Sequence, residues 1–266
     1  MQIGIGIGTS MSLRRGVAFD PDAATYIAAV EAADEQELEP GVKQAIDGFV
    51  TGCKADGIWT AIKASCILAG ARTLNGCLVP LKGTAPTNFN FVSADYNRIT
   101  GLKGDGNTKY INTNRSAAAD PRNSYHQVVG VRQRRTGSNN AGIIGAGLTA
   151  TGTSHIYDGG TALSVALGVR NRTSSAVTTS GNATGPFIGA FRKSATNVVI
   201  RSEDASVSYT GTSQAPIDQD VVVFGRNLSV EYDGRLDFYS IGEDCDEAAF
   251  NNRYNALMTA ISEALS

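Results

Sequence analysis

Between residues 187 and 241 the chain reads Phe187-Ile-Gly-Ala-Phe191, Asn197-Val-Val-Ile-Arg201, Val221-Val-Val-Phe224 and Leu236-Asp-Phe-Tyr-Ser-Ile241, with Gly, Asn, Ser and Thr filling the gaps. Short runs rich in β-branched and aromatic residues, bounded by turn formers, read as strands. Gln127-Val-Val-Gly-Val131 and Leu163-Ser-Val-Ala-Leu-Gly-Val-Arg170 extend the series upstream. No helical period of useful length interrupts it. Parallel βαβ units need crossover helices, so the pattern favours two packed antiparallel sheets.

Outside this block the periodicity changes. Asp20 is placed to cap a helix with Pro21 in its first turn, and Tyr26, Ile27 and Val30 supply the apolar stripe. Pro40 opens a second helix, with Val42, Ile46, Phe49, Val50 and Cys53 spaced by three or four and Gly57 as its stop. A third apolar run, from Ile58 to Leu68, is expected to continue the helical pattern. At the other end, Asp244 and Glu247 suggest a capping box, and Phe250, Tyr254, Leu257, Met258, Ile261 and Leu265 mark one face of a closing helix. The expected organisation is an extended arm over 1–19, a helical attachment module over 20–83, and a sandwich with a C-terminal helix over 84–266.

The arm begins Met1-Gln-Ile3-Gly-Ile5-Gly-Ile7-Gly8. In an extended conformation Ile3, Ile5 and Ile7 share one side and the glycines leave the other bare. Such a strand is weak alone. It is a frayed terminus, an edge strand of its own domain, or a segment that docks on a neighbouring subunit.

Composition excludes several function classes. The 266 residues are 42% hydrophobic and only 18% charged, and 30 are Gly without a three-residue period, which excludes collagen and charge-driven disorder. With 23 Lys+Arg against 25 Asp+Glu, the net charge of −2 offers no global attraction to nucleic acid or an anionic membrane. The dense basic cluster Arg132, Arg134 and Arg135 precedes a turn and reads as a solvated hairpin end. No run of about 18 apolar residues exists to cross a bilayer. The N-terminus lacks a signal-peptide order of charge and apolar core, so synthesis in a cytoplasm is expected.

Motifs for chemistry are sparse. Cys53, Cys66, Cys77 and Cys245 show no Cys-x-x-Cys and no paired His, so neither zinc nor another cofactor is expected. Gly145-Ala-Gly147-Leu-Thr-Ala150 matches a dinucleotide fingerprint in letters, but turn sequence follows where a helix is required. His126 and His155 belong to no nucleophile motif. Glu203 and Asp204 are adjacent, and Asp233 and Asp237 flank a turn glycine, so paired glycosidase carboxylates are not expected. Asp105-Gly-Asn107 reads as a turn and not as a calcium loop. Tyrosines near turns, namely Tyr96, Tyr110, Tyr157, Tyr209 and Tyr232, are available for stacking on sugars.

Several stretches resemble the concanavalin A-like lectin/glucanase (laminin G-like) sandwich found in bacteriophage virion proteins. Thr87-Asn-Phe-Asn-Phe-Val-Ser-Ala-Asp-Tyr96-Asn-Arg-Ile-Thr-Gly-Leu-Lys-Gly-Asp-Gly-Asn-Thr-Lys-Tyr110 resembles its opening strands. Gly185-Pro-Phe-Ile-Gly-Ala-Phe191 and Val221-Val-Val-Phe-Gly-Arg-Asn227 resemble its central strands. Asp233-Gly-Arg-Leu-Asp-Phe-Tyr-Ser-Ile-Gly242 resembles the terminal strand, and Asp56-Gly-Ile-Trp-Thr-Ala-Ile-Lys-Ala-Ser-Cys-Ile-Leu-Ala-Gly70 the segment that precedes the sandwich in tail and appendage proteins. The glucanase carboxylates and the lectin metal ligands have no matching positions.

The resemblance implies a mainly β fold with helices, a jelly-roll-like two-sheet sandwich preceded by a small helical module. It implies a virion component of tail, baseplate, collar or head appendage, bound to other virion proteins. The sparse catalytic inventory makes that component non-enzymatic, and the alternation of the arm, which lies outside the resemblance, gives Ile3, Ile5 and Ile7 as the expected docking residues of a homo-oligomer. The alternative is a receptor-binding adhesin for a host-surface glycan, with Tyr96, Tyr110 and Tyr157 as candidate contacts.

Overall fold

The chain is known from a computed structural model that describes residues 18–135, 141–147, 151–158, 164–167, 177–180, 186–202, 205–226, 229–230 and 232–266. Ile3, Ile5 and Ile7 lie outside the described residues, as do Glu203 and Asp204.

Two helices open the described chain as their sequences dictate. In α1 (Pro21–Asp34) the Asp20 carboxylate accepts the Asp22 N–H, and α2 (Pro40–Ala55) starts at its proline. The next apolar run departs from expectation: it holds the strand β1 (Ile62–Ile67), not a helix. Its six residues are too few for a stable helix, and the terminal strand of the chain offers a free edge for pairing. A single short turn, α3 (Leu74–Cys77), follows.

From there the chain is strand after strand: β2 (Thr87–Phe89), β3 (Tyr96–Asn97), β4 (Gly101–Lys103), β5 (Tyr110–Ser116), β6 (Tyr125–Gln133), β7 (Ala141–Ala146) and β8 (Ser154–Asp158). β9 (Ser164–Leu167), β10 (Val177–Ser180), β11 (Phe187–Arg192), β12 (Asn197–Ser202) and β13 (Ala205–Thr210) continue it. β14 (Asp220–Val223), β15 (Gly225–Arg226), β16 (Ser229–Val230) and β17 (Arg235–Gly242) lead into the closing helix α4 (Glu247–Leu265).

The strands form two large antiparallel sheets, and β15 and β16 pair separately as a two-stranded hairpin. One runs β13-β12-β11-β6-β17-β4-β3, with β1 also on β17; the other runs β10-β9-β8-β7-β14-β5-β2. The expected two-sheet sandwich is therefore the observed fold. Between the sheets, Ile111, Val223, Ile144 and Ile156 form one cross-strand row, each at most 1% exposed. Ser154 Oγ donates to Gln127 Oε1 at 3.0 Å across the same interior.

The outer face of the first sheet is covered by helices. Phe238 packs edge-on to Phe49 of α2 and to Phe250 of α4, and Phe187 and His126 also meet Phe250. Burying each such aromatic contributes roughly 1.5–3 kcal/mol. Arg253 of α4 holds Asp56 with two hydrogen bonds of 2.7 and 2.9 Å. The N-cap of α4 is Asp246, whose carboxylate accepts from Ala248 and Ala249, and not the expected Asp244. Asp244 is instead paired with Lys193 at 3.0 Å.

The helical lead-in therefore finds the partner surface its apolar sequence demands within this chain. Its buried residues join the same core as those of the sandwich. Polar ties reinforce the seam. Asp34 accepts from Arg72 N, Thr73 N and Thr73 Oγ1, and Arg98 beside β4 grips Glu39 at 2.9 and 2.6 Å.

One carboxylate is sealed under α4. Asp237 is fully buried, accepts the Tyr254 hydroxyl at 2.8 Å, and lies 2.8 Å from Arg132 Nε without hydrogen-bond alignment. Burial pushes its pKa up to about 6, against the opposing charge of Arg132 and the Tyr254 hydrogen bond. A Cβ on Gly130 would come within 1.9 Å of Asp237 Oδ1, so only glycine leaves room there.

Because the folded pKa lies above the unfolded one, protonation favours the fold. That contribution is complete below about pH 4 and is lost as pH rises through 6, by about 3 kcal/mol. Asp237→Asn should remove this dependence, so the melting-temperature difference between wild type and variant, followed from pH 4 to 7, should drift against wild type. Gly130→Ala should cost about 1–3 kcal/mol in denaturant unfolding.

Candidate functional site

The outer face of the second sheet bears no helix among the described residues. Opposite the core row runs a second cross-strand row: Asn112 on β5, Val222 on β14, Gly145 on β7 and His155 on β8. By the two-residue alternation of strands, Tyr110 shares the face of Asn112, and Tyr157 shares the face of His155. Phe89 pairs with Tyr110 across β2 and β5, and their rings stack at 4.3 Å.

This face has large side chains at its flanks and small ones between. The central strands present Val222, Gly145 and Gly142, whereas Phe89 and Tyr110 stand on one side and His155 and Tyr157 on the other. β5 and β8 are three strand spacings apart, about 14 Å. In residue size this series of positions is a trough, large at the flanks and small between, and its middle is already covered by other parts of the chain. Its floor is closed, with Val222 1% and His155 5% exposed, while Tyr110, Asn112, Tyr157 and Arg226 are half-exposed at its rim.

The rim is chemically mixed. The Arg226 guanidinium lies 5.8 Å from the Tyr157 ring centroid, and the His155 ring lies 5.5 Å from it on the same strand. Asn112 Nδ2 donates to Asp220 Oδ2 at 3.0 Å, and Asn114 bridges Thr87 Oγ1 and the Ala85 carbonyl. Amides, a carboxylate, a guanidinium and aromatic rings thus stand together on one surface.

Of the tyrosines the sequence offers, Tyr110 and Tyr157 meet on this face. Tyr96 lies elsewhere, on β3 of the first sheet, its hydroxyl donating to the Ala71 carbonyl at 2.8 Å. Tyr232 is fully buried beside Phe224. Asn112, Asp220, His155 and Arg226 were not singled out as site residues. The alternation of β5 through Ile111 and Thr113 signals Asn112, but the pairing that aligns it with His155 is long-range and carries no sequence signal.

Other sequence candidates are absorbed by structure. His126 is fully buried between Glu243 O at 2.6 Å and Ser240 Oγ at 2.8 Å, and burial lowers its pKa to about 4. Asp237 is beneath α4, while the Asp233 carboxylate faces Arg135 at 3.8 Å, so the two acids do not share a cleft. The basic cluster is paired and not a solvated hairpin end: Arg132 faces Asp237, Arg134 pairs with Asp158, and Arg135 faces Asp233.

Asp105 closes its own turn, accepting from the Asn107, Thr108 and Lys109 amides and from Thr108 Oγ1. Burial raises its pKa, but those hydrogen bonds outweigh burial and hold it well below the carboxylate range. Cys53, Cys66 and Cys77 are buried free thiols, and burial pushes Cys53 and Cys66 up to about 12. Gly145 lies inside β7, not in a phosphate-binding turn. Among the described residues no group of three His, Cys, Asp or Glu side chains is placed to hold a metal, and no helix is long and apolar enough to cross a membrane.

Gly145 leaves room for His155, because a Cβ there would stand 2.5 Å from His155 Cβ. Gly145→Ala should displace the His155 ring, seen as a shift of its NMR resonances, and cost about 1–3 kcal/mol of stability.

No protein-family model and no curated protein matches the chain. Solved structures of similar arrangement include the botulinum neurotoxin serotype D binding domain (11% identity, 75% of this chain and 50% of that chain, TM-score 0.48). A second is the binding domain of botulinum neurotoxin DC in complex with rat synaptotagmin II (14%, 74% and 52%, TM-score 0.48). A third is domain 4 of a GH43 extracellular arabinanase from Geobacillus stearothermophilus in complex with arabinotriose (13%, 64% and 82%, TM-score 0.41). The chain spans about half the length of the neurotoxin domains it matches. Similarity at this level transfers no ligand and no residue role.

Proposed function

We propose that this chain is a non-enzymatic adhesion module that recognises a host-surface glycan through the trough on the second sheet. The observation that carries the reading is the residue set of that trough: aromatic rings at both flanks, small residues between, and amide, carboxylate and guanidinium groups along the rim. A sugar ring presents an apolar C–H face for aromatic stacking and an equatorial ring of hydroxyls for planar hydrogen-bonding groups, so such a surface suits it on both counts. Asp105, Asp158, Asp237 and His126 are engaged in a turn, an ion pair or core packing, which favours adhesion over hydrolysis.

A second reading, a structural component of a bacteriophage virion, is favoured by the sequence resemblance and by the Ile/Gly arm. The two are compatible, since an adhesin of this kind works when displayed on a particle. Mass spectrometry of purified particles checks the setting: absence of the chain from them removes the virion reading and leaves glycan binding standing.

For the glycan reading, a glycan array should return a restricted set of ligands. Tyr157→Ala and Tyr110→Ala should each weaken binding by about tenfold, or ~1.4 kcal/mol, in titration calorimetry with the best ligand. Tyr96→Phe, which keeps the ring and removes a hydroxyl committed to Ala71, should bind as wild type. An array with no ligand, or equal binding by the tyrosine variants, overturns the assignment.

A further inference from the structure

The first sheet ends in β13, whose sequence is Ala205-Ser-Val-Ser-Tyr-Thr210. It pairs with β12 on one side, and among the described residues no strand pairs with its other side. Five of its six residues are exposed and Tyr209 is half-exposed. Sheet edges present unpaired N–H and C=O groups, and proteins ordinarily guard them with charge, proline or a bulge. β13 has no charged residue and no proline, and its register with β12 is continuous from Ala205 to Thr210. Val207 is 45% exposed, one of three exposed large hydrophobics among the described residues.

The direction of Val207 is fixed by register. It lies opposite Ile200, which lies opposite Ala190, which lies opposite Gln127. Gln127 points at the second sheet, through its bond to Ser154. Val207 therefore extends the interior row beyond the point where packing covers it. On β13, Ala205, Val207 and Tyr209 share this inward face, and Ser206, Ser208 and Thr210 share the other.

The same binary pattern stands at the start of the chain. In residues 3–8, Ile3, Ile5 and Ile7 alternate with Gly4, Gly6 and Gly8, without charge or proline and at the same length of six. Laid beside β13, such a segment sets its isoleucines against Val207 and Tyr209. Its glycines then oppose the serines and threonine, where a flat, small face lets the backbones approach.

We propose that residues 2–8 of one copy add as an edge strand to β13 of a neighbouring copy. The ladder satisfies the open backbone groups of β13, and the isoleucines cover Val207. The interface is between unlike surfaces, so reciprocal exchange gives a dimer and head-to-tail exchange gives a closed ring. This contact is independent of the trough and of any glycan.

The test uses the full chain. Light scattering after size exclusion should give a mass that is a multiple of 27.8 kDa. Val207→Lys, at a position 45% exposed, and Ile5→Asp should each reduce it to the monomer while keeping a cooperative unfolding transition and an unchanged far-UV circular dichroism spectrum. Mixing a tagged Ile5→Cys chain with an untagged Val207→Cys chain should yield a mixed disulfide between the two. A monomeric wild type overturns the proposal, as does an oligomer that survives both substitutions. Cross-linking confined to a single chain carrying both cysteines overturns it too, because the arm then returns to its own edge.

Discussion

The fold depends on covering one sheet face with helices. The first sheet carries Phe187, Phe191, Phe238 and His126 toward α2 and α4, an aromatic layer too large to leave in water. The helices are too apolar on their inner faces to stand alone. Each side supplies what the other lacks, and the hydroxyl of Tyr254 on Asp237 pins the arrangement at a point where a carboxylate would otherwise be stranded. Breaking a buried charge pair is costly because the remaining charge is left without compensation. Arg132 and Tyr254 therefore hold the helix layer in one position as well as neutralising a group.

That covering makes the two outer faces of the sandwich unlike. With the helices committed to one sheet, the other bears no helix on its outer face among the described residues. Its interior row is aliphatic and shut, whereas its outer row mixes glycine, amide, imidazole and aromatic rings. Beneath it, β5, β14, β7 and β8 each contribute residues to the core. Loops alone would not hold flank residues at a fixed separation of three strands.

Several elements were legible in the sequence because their signals are local. The prolines at 21 and 40, the cap at Asp20 and the stripe of α2 depend on neighbours within a turn, and each fell where expected. The strand runs at 127–131, 187–191, 197–201 and 236–241 sit inside observed strands for the same reason. Ile62–Ile67 is a strand and not the expected helix because an apolar run of six carries no period of its own, and the edge of β17, 180 residues away in sequence where Ile62 meets Gly242, decided its conformation. The capping acid shifted by two residues, from Asp244 to Asp246, once Lys193 claimed the former. Among the tyrosines, chemistry alone did not distinguish Tyr96 from Tyr110 and Tyr157.

Sequence by itself determined the two-sheet class and three of the helices, since alternation and caps act through near neighbours. Tertiary structure alone decided which face received the helices, which tyrosines share a surface, and which acids vanish into ion pairs. Those outcomes follow from strand order and register. Pairing between β5, β14, β7 and β8 is set by how the whole interior packs, and no segment encodes its partner until the core has formed.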